Sequence, residues 1–111
     1  MILESNEVRI AAGQTVPGNT KWIQYTDPGV PEGKCLYVDV DTSAGGFKNT
    51  PHYFTSIGGD AYHWQTIGVT SIYEQTNSKF RVYIQRMDDQ KITPADANYH
   101  SWHINWLGIE G

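Results

Sequence analysis

The segment HSWHINWLGI at 100–109 decides the fold class, because apolar and polar side chains alternate along it. Trp102, Ile104 and Trp106 occupy every second position, and polar side chains fill the positions between them. Successive side chains of a β-strand point to opposite faces, whereas apolar positions on a helix recur every three to four residues. We therefore predict a strand here, and its high apolar content predicts a central place in a sheet.

Five further segments carry strand signals, with turn residues between them. They are KWIQY at 21–25, LYVDVD at 36–41, HYFTSI at 52–57, GVTSIYE at 68–74 and FRVYIQR at 80–86. The last two are predicted to pair as a hairpin across a short polar connection. DPG at 27–29 predicts a turn, since Pro fixes φ and Gly accepts a positive φ. The polar stretch 88–98 is predicted to be a loop in which Thr93 and Pro94 begin one helical turn.

These strands predict an all-β fold, an antiparallel six-stranded β-sandwich, with a barrel as the alternative. Four Trp, seven Tyr and three Phe support this class, because aromatic residues are enriched in strands. A length of 111 residues fits one β-sandwich domain spanning 1–111. The alternation predicts that the following side chains point into the core: Leu36, Val38, Val40, Phe80, Val82 and Ile84.

Composition excludes several classes of partner. The net charge is −4, and the eight Lys and Arg residues are scattered, so a nucleic-acid partner is not expected. No apolar run approaches the roughly 18 residues that a membrane span needs, and no secretion signal is visible. Cytoplasmic location and origin as an excised extracellular module both stay open. The single Cys35 has no partner for an internal disulfide and is predicted to be a half-buried strand residue.

Motifs of catalysis are missing from the sequence. It contains no GxSxG, P-loop, GxGxxG or HExxH pattern, so we predict no enzyme, no cofactor and no metal. Asp39 and Asp41 could supply oxygen ligands to a hard cation, but a solvent-facing pair is the favoured interpretation. Asp88 with Asp89 is the other carboxylate pair that leaves a glycosidase open as a minor hypothesis. The spacing of His100 and His103 places them on opposite faces of the predicted strand and gives no zinc site.

Two loop segments combine the side chains that carbohydrate sites use. GGDAYHWQ at 58–65 sets aromatic rings beside a carboxylate and an imidazole, which suit the apolar face and the hydroxyls of a sugar. The alternative is that Tyr62 and Trp64 fold back as lids on the sandwich. The second segment offers planar donors and acceptors, unless it is only a solvated charged turn. Its residues are Arg86, Asp88, Asp89 and Gln90.

The spacing of several motifs resembles the H-type lectin domain of snail agglutinins and discoidins. These motifs are Phe47-x-x-x-Pro51, then Ile72-Tyr73 followed by Phe80, and the closing SWHINWLGIE at 101–110. Trp22 followed by DPG at 27–29 resembles the N-terminal loop of that family. The resemblance implies a six-stranded antiparallel sandwich that forms trimers, sometimes stacked into hexamers. It also implies binding of galactose or N-acetylgalactosamine in clefts between subunits.

Carried over by position, the sugar-contacting N-terminal loop of the family falls on Asp27 and Gly29, with Pro31 or Glu32 near its end. The loop after the fifth strand falls on Met87 and Asp88, where the family commonly has Trp and His. The aromatic position that opens the last strand falls on His100.

The predicted function is therefore that of a non-catalytic lectin for terminal galactose or N-acetylgalactosamine. It would be multivalent as a homotrimer or homohexamer and would act in cell adhesion. An oligomerising or adhesive protein-interaction module is the alternative, using an exposed aromatic face formed by Tyr37, Tyr83 and Trp102. The predicted carbohydrate-binding residues are Asp27, Gly29, Trp64, Arg86, Asp88 and His100.

Overall fold

A computed structural model describes residues 8–88 and 90–111. Residues 1–7 and 89 lie outside the described residues. Of the carboxylate pair Asp88 and Asp89, the structure therefore describes only Asp88. The described chain forms seven strands: β1 (Arg9–Gln14), β2 (Ile23–Gln24), β3 (Cys35–Asp41), β4 (His52–Gly58), β5 (Thr66–Ile67), β6 (Lys79–Arg86) and β7 (His103–Glu110). One helix, α1 (Pro94–Tyr99), lies between β6 and β7.

The strands form two antiparallel sheets. One sheet has the order β1-β7-β4, and the other has the order β2-β3-β6-β5. The all-β class and the central place of β7 are confirmed, but the count of six strands was wrong. The missed strand β1 shows no alternation because it is an edge strand whose residues are mostly exposed, so the sequence gives no signal for it.

The core lies between the inner faces of the two sheets. Strand β3 contributes Leu36, Val38 and Val40, and the same alternation holds in β6 and β7. The predicted inward faces are therefore confirmed. The remaining core positions are Trp22, Phe47, Tyr53, Phe80, Val82, Ile84, Ile92, Ala97, Trp102, Ile104 and Trp106.

The predicted strand at 68–74 was wrong. Gly68 adopts φ +100°, and Ser71 N donates to Gly68 O at 3.0 Å, so the backbone turns where a strand was expected. A Cβ at Gly68 would lie 2.5 Å from Tyr83 O, which explains why glycine is required there. The chain regains contact with β6 only where Tyr73 bridges Arg81. The predicted pairing of 68–74 with β6 is reduced to this bridge, and the strand that pairs with the end of β6 is β5, which precedes the predicted segment.

The last strand begins later than predicted. Thr93 accepts a hydrogen bond from Asp96 N and Asp96 accepts one from Thr93 N, a capping box that starts α1. His100 is the C-cap of this helix, and Ser101 takes a left-handed φ of 57° before β7 starts. His100 and His103 therefore do not share a strand, and the predicted placement of His100 at its opening was wrong. Among the described residues no helix is long and apolar enough to cross a membrane.

Candidate functional site

The predicted binding residues lie at two places next to strand β6. Its outward side chains include Tyr83 and Gln85, which line a cleft with Gly29. Arg86, at the end of the strand, has the inward parity of Ile84 and meets loops at one end of the sandwich. We call the group at that end the loop cluster, and it consists of Tyr62, Trp64, Arg86, Asp88 and His100.

Arg86 is the centre of the loop cluster. Its Nε donates to Asp88 Oδ1 at 2.6 Å, and its guanidinium lies 5.5 Å from the centre of the Tyr62 ring. The hydrogen bond from Arg86 holds the pKa of the Asp88 carboxyl below its usual range. The carboxylate also accepts a bond from Gln90 N at 3.2 Å. The cluster therefore presents a fixed guanidinium–carboxylate pair at neutral pH.

The loop that carries the two aromatic rings is held in an unusual backbone conformation. Tyr62 has φ 66°, a left-handed value, and it precedes a 3-10 turn over His63–Gln65. Met87 N donates to Gln65 O at 2.7 Å, which fixes this turn beside the end of β6. Tyr62 is 51% exposed and Trp64 is 75% exposed. Neither ring acts as a lid on the core.

His100 links the cluster to the core through ring contacts. Its imidazole lies 5.2 Å from the Tyr62 ring and 6.2 Å from the Trp102 ring, measured between ring centres. Beneath it, Trp102 Nε1 donates to Ala61 O at 2.7 Å. His100 O also accepts a bond from Asp60 N at 2.8 Å. The loop before Tyr62 is thus tied to a fully buried indole.

His63 contributes a feature that the sequence did not indicate. Its Nδ1 is buried and makes no hydrogen bond to any described residue. A Cβ on Gly59 would lie 3.1 Å from this nitrogen and 2.7 Å from Trp102 Cδ1. The close approach of imidazole and indole over Gly59 explains the glycine at that position.

Asp27 and Gly29 lie in the loop between β2 and β3. They form the predicted turn, with Val30 N donating to Asp27 O at 3.0 Å and Gly29 at φ +89°. Asp27 accepts a hydrogen bond from Tyr25 Oη at 3.2 Å, and Gly29 lines a cleft of about 260 Å³. Within the described chain, no hydrogen bond or ring contact joins either residue to the loop cluster. Gly29 lines its cleft together with Gln85, the residue before Arg86 in β6.

The predicted aromatic face is only partly present. Tyr37 and Tyr83 are register partners on the outer face of the four-stranded sheet, with ring centres 5.7 Å apart. Trp102 does not belong to this face, because it is fully buried. It precedes β7 with the same parity as Ile104 and Trp106, so its ring is turned into the core.

Arg81 pairs with two carboxylates on the same outer face. It binds Asp39 in a bidentate pair at 2.7 and 3.0 Å and approaches Glu74 at 3.2 Å. The hydrogen bond from Arg81 lowers the pKa of the Asp39 carboxyl. Asp41 instead accepts a bond from Ser43 N at 2.8 Å, so the two aspartates are engaged separately. In residues 8–88 and 90–111 no group of three His, Cys, Asp or Glu side chains is placed to hold a metal ion.

An apolar stripe crosses the outer face of the three-stranded sheet. Phe54 pairs with Leu107 and is 56% exposed, and Ile10 pairs with Ile109 and is 61% exposed. The side chains of these four residues point away from the core, because successive residues of a strand face opposite sides of the sheet. Sequence reasoning missed the stripe because β1, which supplies Ile10, was not predicted.

Comparison with known proteins identifies no family for this chain. No family model matches it, and no curated protein matches it at a significant level.

Proposed function

We propose that this protein is a non-catalytic carbohydrate-binding domain of the H-type lectin kind, with galactose or N-acetylgalactosamine as its ligand class. The observation that carries the proposal is the three-quarters exposed indole of Trp64, on a turn that is hydrogen-bonded to Met87, between Arg86 and Asp88. The two antiparallel sheets and the SWHINWLGIE motif at 101–110 support the family.

The loop cluster offers the two kinds of contact that a sugar requires. Exposed rings of Trp64 and Tyr62 suit the apolar face of a galactose-type ring, which carries its C–H groups on one side. The carboxylate of Asp88 can accept hydrogen bonds from neighbouring hydroxyls, and the guanidinium of Arg86 can donate them. No covalent step is needed for this role.

Assembly would complete the site and raise its avidity. In a trimer or hexamer, Asp27 and Gly29 of one copy would approach the loop cluster of the next, as the family resemblance implies. The apolar stripe is the surface we propose for the contact between copies, because exposed apolar patches of this kind mark interfaces. Several weak sites on one particle would then bind a glycan-coated surface strongly.

The first test is calorimetric titration of the protein with galactose and N-acetylgalactosamine, with Trp64→Ala as the variant. We expect wild-type binding and at least about a tenfold loss of affinity in Trp64→Ala. Tyr73→Ala serves as the control, since Tyr73 is an exposed ring that contacts Tyr83 on the outer face of the four-stranded sheet. Equal affinity of wild type and Trp64→Ala would refute the placement of the site.

A protein-interaction module is the second candidate, favoured by the apolar stripe alone. Under that alternative, the protein self-associates but binds neither sugar. Sedimentation of wild type and of Phe54→Ser, measured with and without galactose, separates the two functions. Loss of assembly in Phe54→Ser with no sugar binding in wild type would favour the module over the lectin.

A further inference from the structure

Three tyrosines form an open cup on the outer face of the four-stranded sheet. Tyr83 lies between the other two rings, 4.9 Å from Tyr25 and 5.2 Å from Tyr73 between ring centres. The planes are inclined by 51° and 85°, so the flanking rings stand as walls beside the central one. These three residues line a cleft of about 360 Å³. We call this arrangement the tyrosine cup.

The surroundings of the tyrosine cup are acidic. Tyr25 donates its hydroxyl to Asp27, which brings that carboxylate to one wall. Glu74 follows Tyr73 in the chain and approaches the Arg81 guanidinium. Three carboxylates contact Tyr25 or Arg81, and Arg81 is the one cation in these contacts. The carboxylates are Asp27, Asp39 and Glu74.

Arg81 is a cation on this face, and its guanidinium already has hydrogen-bond and ring partners. Arg81 Nε and Nη2 bind Asp39, and Nη1 donates to Tyr83 Oη at 3.3 Å. Its guanidinium lies over the Tyr37 ring at 4.3 Å, closer than its 5.9 Å from Tyr83. The packing of Arg81 on Tyr37 shows that rings on this face accept a cation. Tyr25 and Tyr73 have no such partner among the described residues.

We propose that the tyrosine cup binds a methylated ammonium group, of the kind carried by choline or by a trimethylated lysine side chain. Aromatic faces attract such cations electrostatically, and the methyl groups bury apolar surface against the rings. The surrounding negative charge favours a cation over an anion or a neutral group. An unmethylated ammonium is held less well because its strong hydration must be lost on binding. Within one copy of the chain the tyrosine cup and the loop cluster share no residue, and the proposed choline binding does not require a bound glycan.

The test is titration of the purified protein with choline, followed by NMR shifts of the tyrosine ring protons. The matched ligand control is 3,3-dimethyl-1-butanol, which has the same shape without the charge. We expect choline to shift the signals of the three cup tyrosines and to bind at least about tenfold more tightly than the neutral analogue. Equal binding of the two ligands, or no shift with choline, would overturn the proposal.

Two variants locate the site. Tyr73→Leu removes one exposed wall and should weaken choline binding by about two- to fivefold, the contribution of one ring at an exposed site. Trp64→Ala, which tests the loop cluster, should leave choline binding unchanged. Thermal unfolding of both variants checks that each is folded. If Trp64→Ala weakens choline binding as much as Tyr73→Leu does, the cation binds at the loop cluster and the tyrosine cup is not the site.

Discussion

Replacing Trp102 with phenylalanine tests whether the core indole holds the binding loop in place. Trp102 is fully buried, and its Nε1 donates to Ala61 O at 2.7 Å, directly before Tyr62. Trp106 provides the matched control because it is 7% exposed in the same core, and among the described residues its Nε1 makes no hydrogen bond. Both substitutions shrink an indole to a phenyl ring, but only Trp102→Phe removes the tie to the loop.

The expected losses of unfolding free energy differ between the two variants by the contribution of that hydrogen bond. Reducing the buried ring should cost about 1–2 kcal/mol of unfolding free energy in either variant. Loss of the bond to the half-buried Ala61 carbonyl should add about 1–2 kcal/mol in Trp102→Phe alone. We therefore expect a total loss of about 2–4 kcal/mol for Trp102→Phe and about 1–2 kcal/mol for Trp106→Phe.

Urea unfolding followed by circular dichroism gives both free energies. Amide hydrogen exchange adds a local measurement, since the amides at 61–65 should exchange faster in Trp102→Phe than in Trp106→Phe. If the two variants lose the same free energy and show equal exchange at 61–65, the hydrogen bond does not hold the loop. The link between the core and the loop cluster would then be refuted.

Two further predictions concern polar pairs. Asp39→Asn should lower the unfolding free energy by only about 0.5 kcal/mol at neutral pH, because the carboxylate is 47% exposed and screened by solvent. The pKa of folded Asp39 is lowered, chiefly by the hydrogen bond from Arg81, so its stabilisation is present above the unfolded value of about 4 and is lost as the pH falls through the folded value. Urea titrations at several pH values should show the difference between wild type and variant narrowing under acid, and a constant difference would contradict the assignment. Tyr53→Phe should lower the unfolding free energy by about 1–3 kcal/mol, because the Tyr53 hydroxyl bonds Thr42 Oγ1 at 2.7 Å in the core. The control Tyr37→Phe should leave the unfolding free energy nearly unchanged. Equal unfolding midpoints of these two variants would argue against a role for the buried pair.

Strands with one buried face could be predicted because alternation is a property of neighbouring residues. The core positions of β3, β6 and β7 followed directly from it. Strand β1 could not be found in this way, since an exposed edge strand takes its hydrogen bonds from β7 and carries no alternating pattern of its own. The turn at Gly68 could not be recognised in an apparently regular strand, because the contact that requires glycine there comes from the Tyr83 carbonyl of β6, which is distant in the sequence.

Some residues of the candidate sites could also be predicted, because their relation depends only on neighbours in the sequence. Sequence alone marked Arg86 and Asp88 as a charged pair and DPG at 27–29 as a turn, since each depends on residues close together in the chain. Only tertiary structure decided that Tyr62 lies against His100, and that Tyr25 and Tyr73 stand on either side of Tyr83. Those neighbours come from different strands and loops, and their meeting depends on sheet order and register. Local sequence fixes which face a side chain takes, but the pairing of strands fixes which other side chains it meets there.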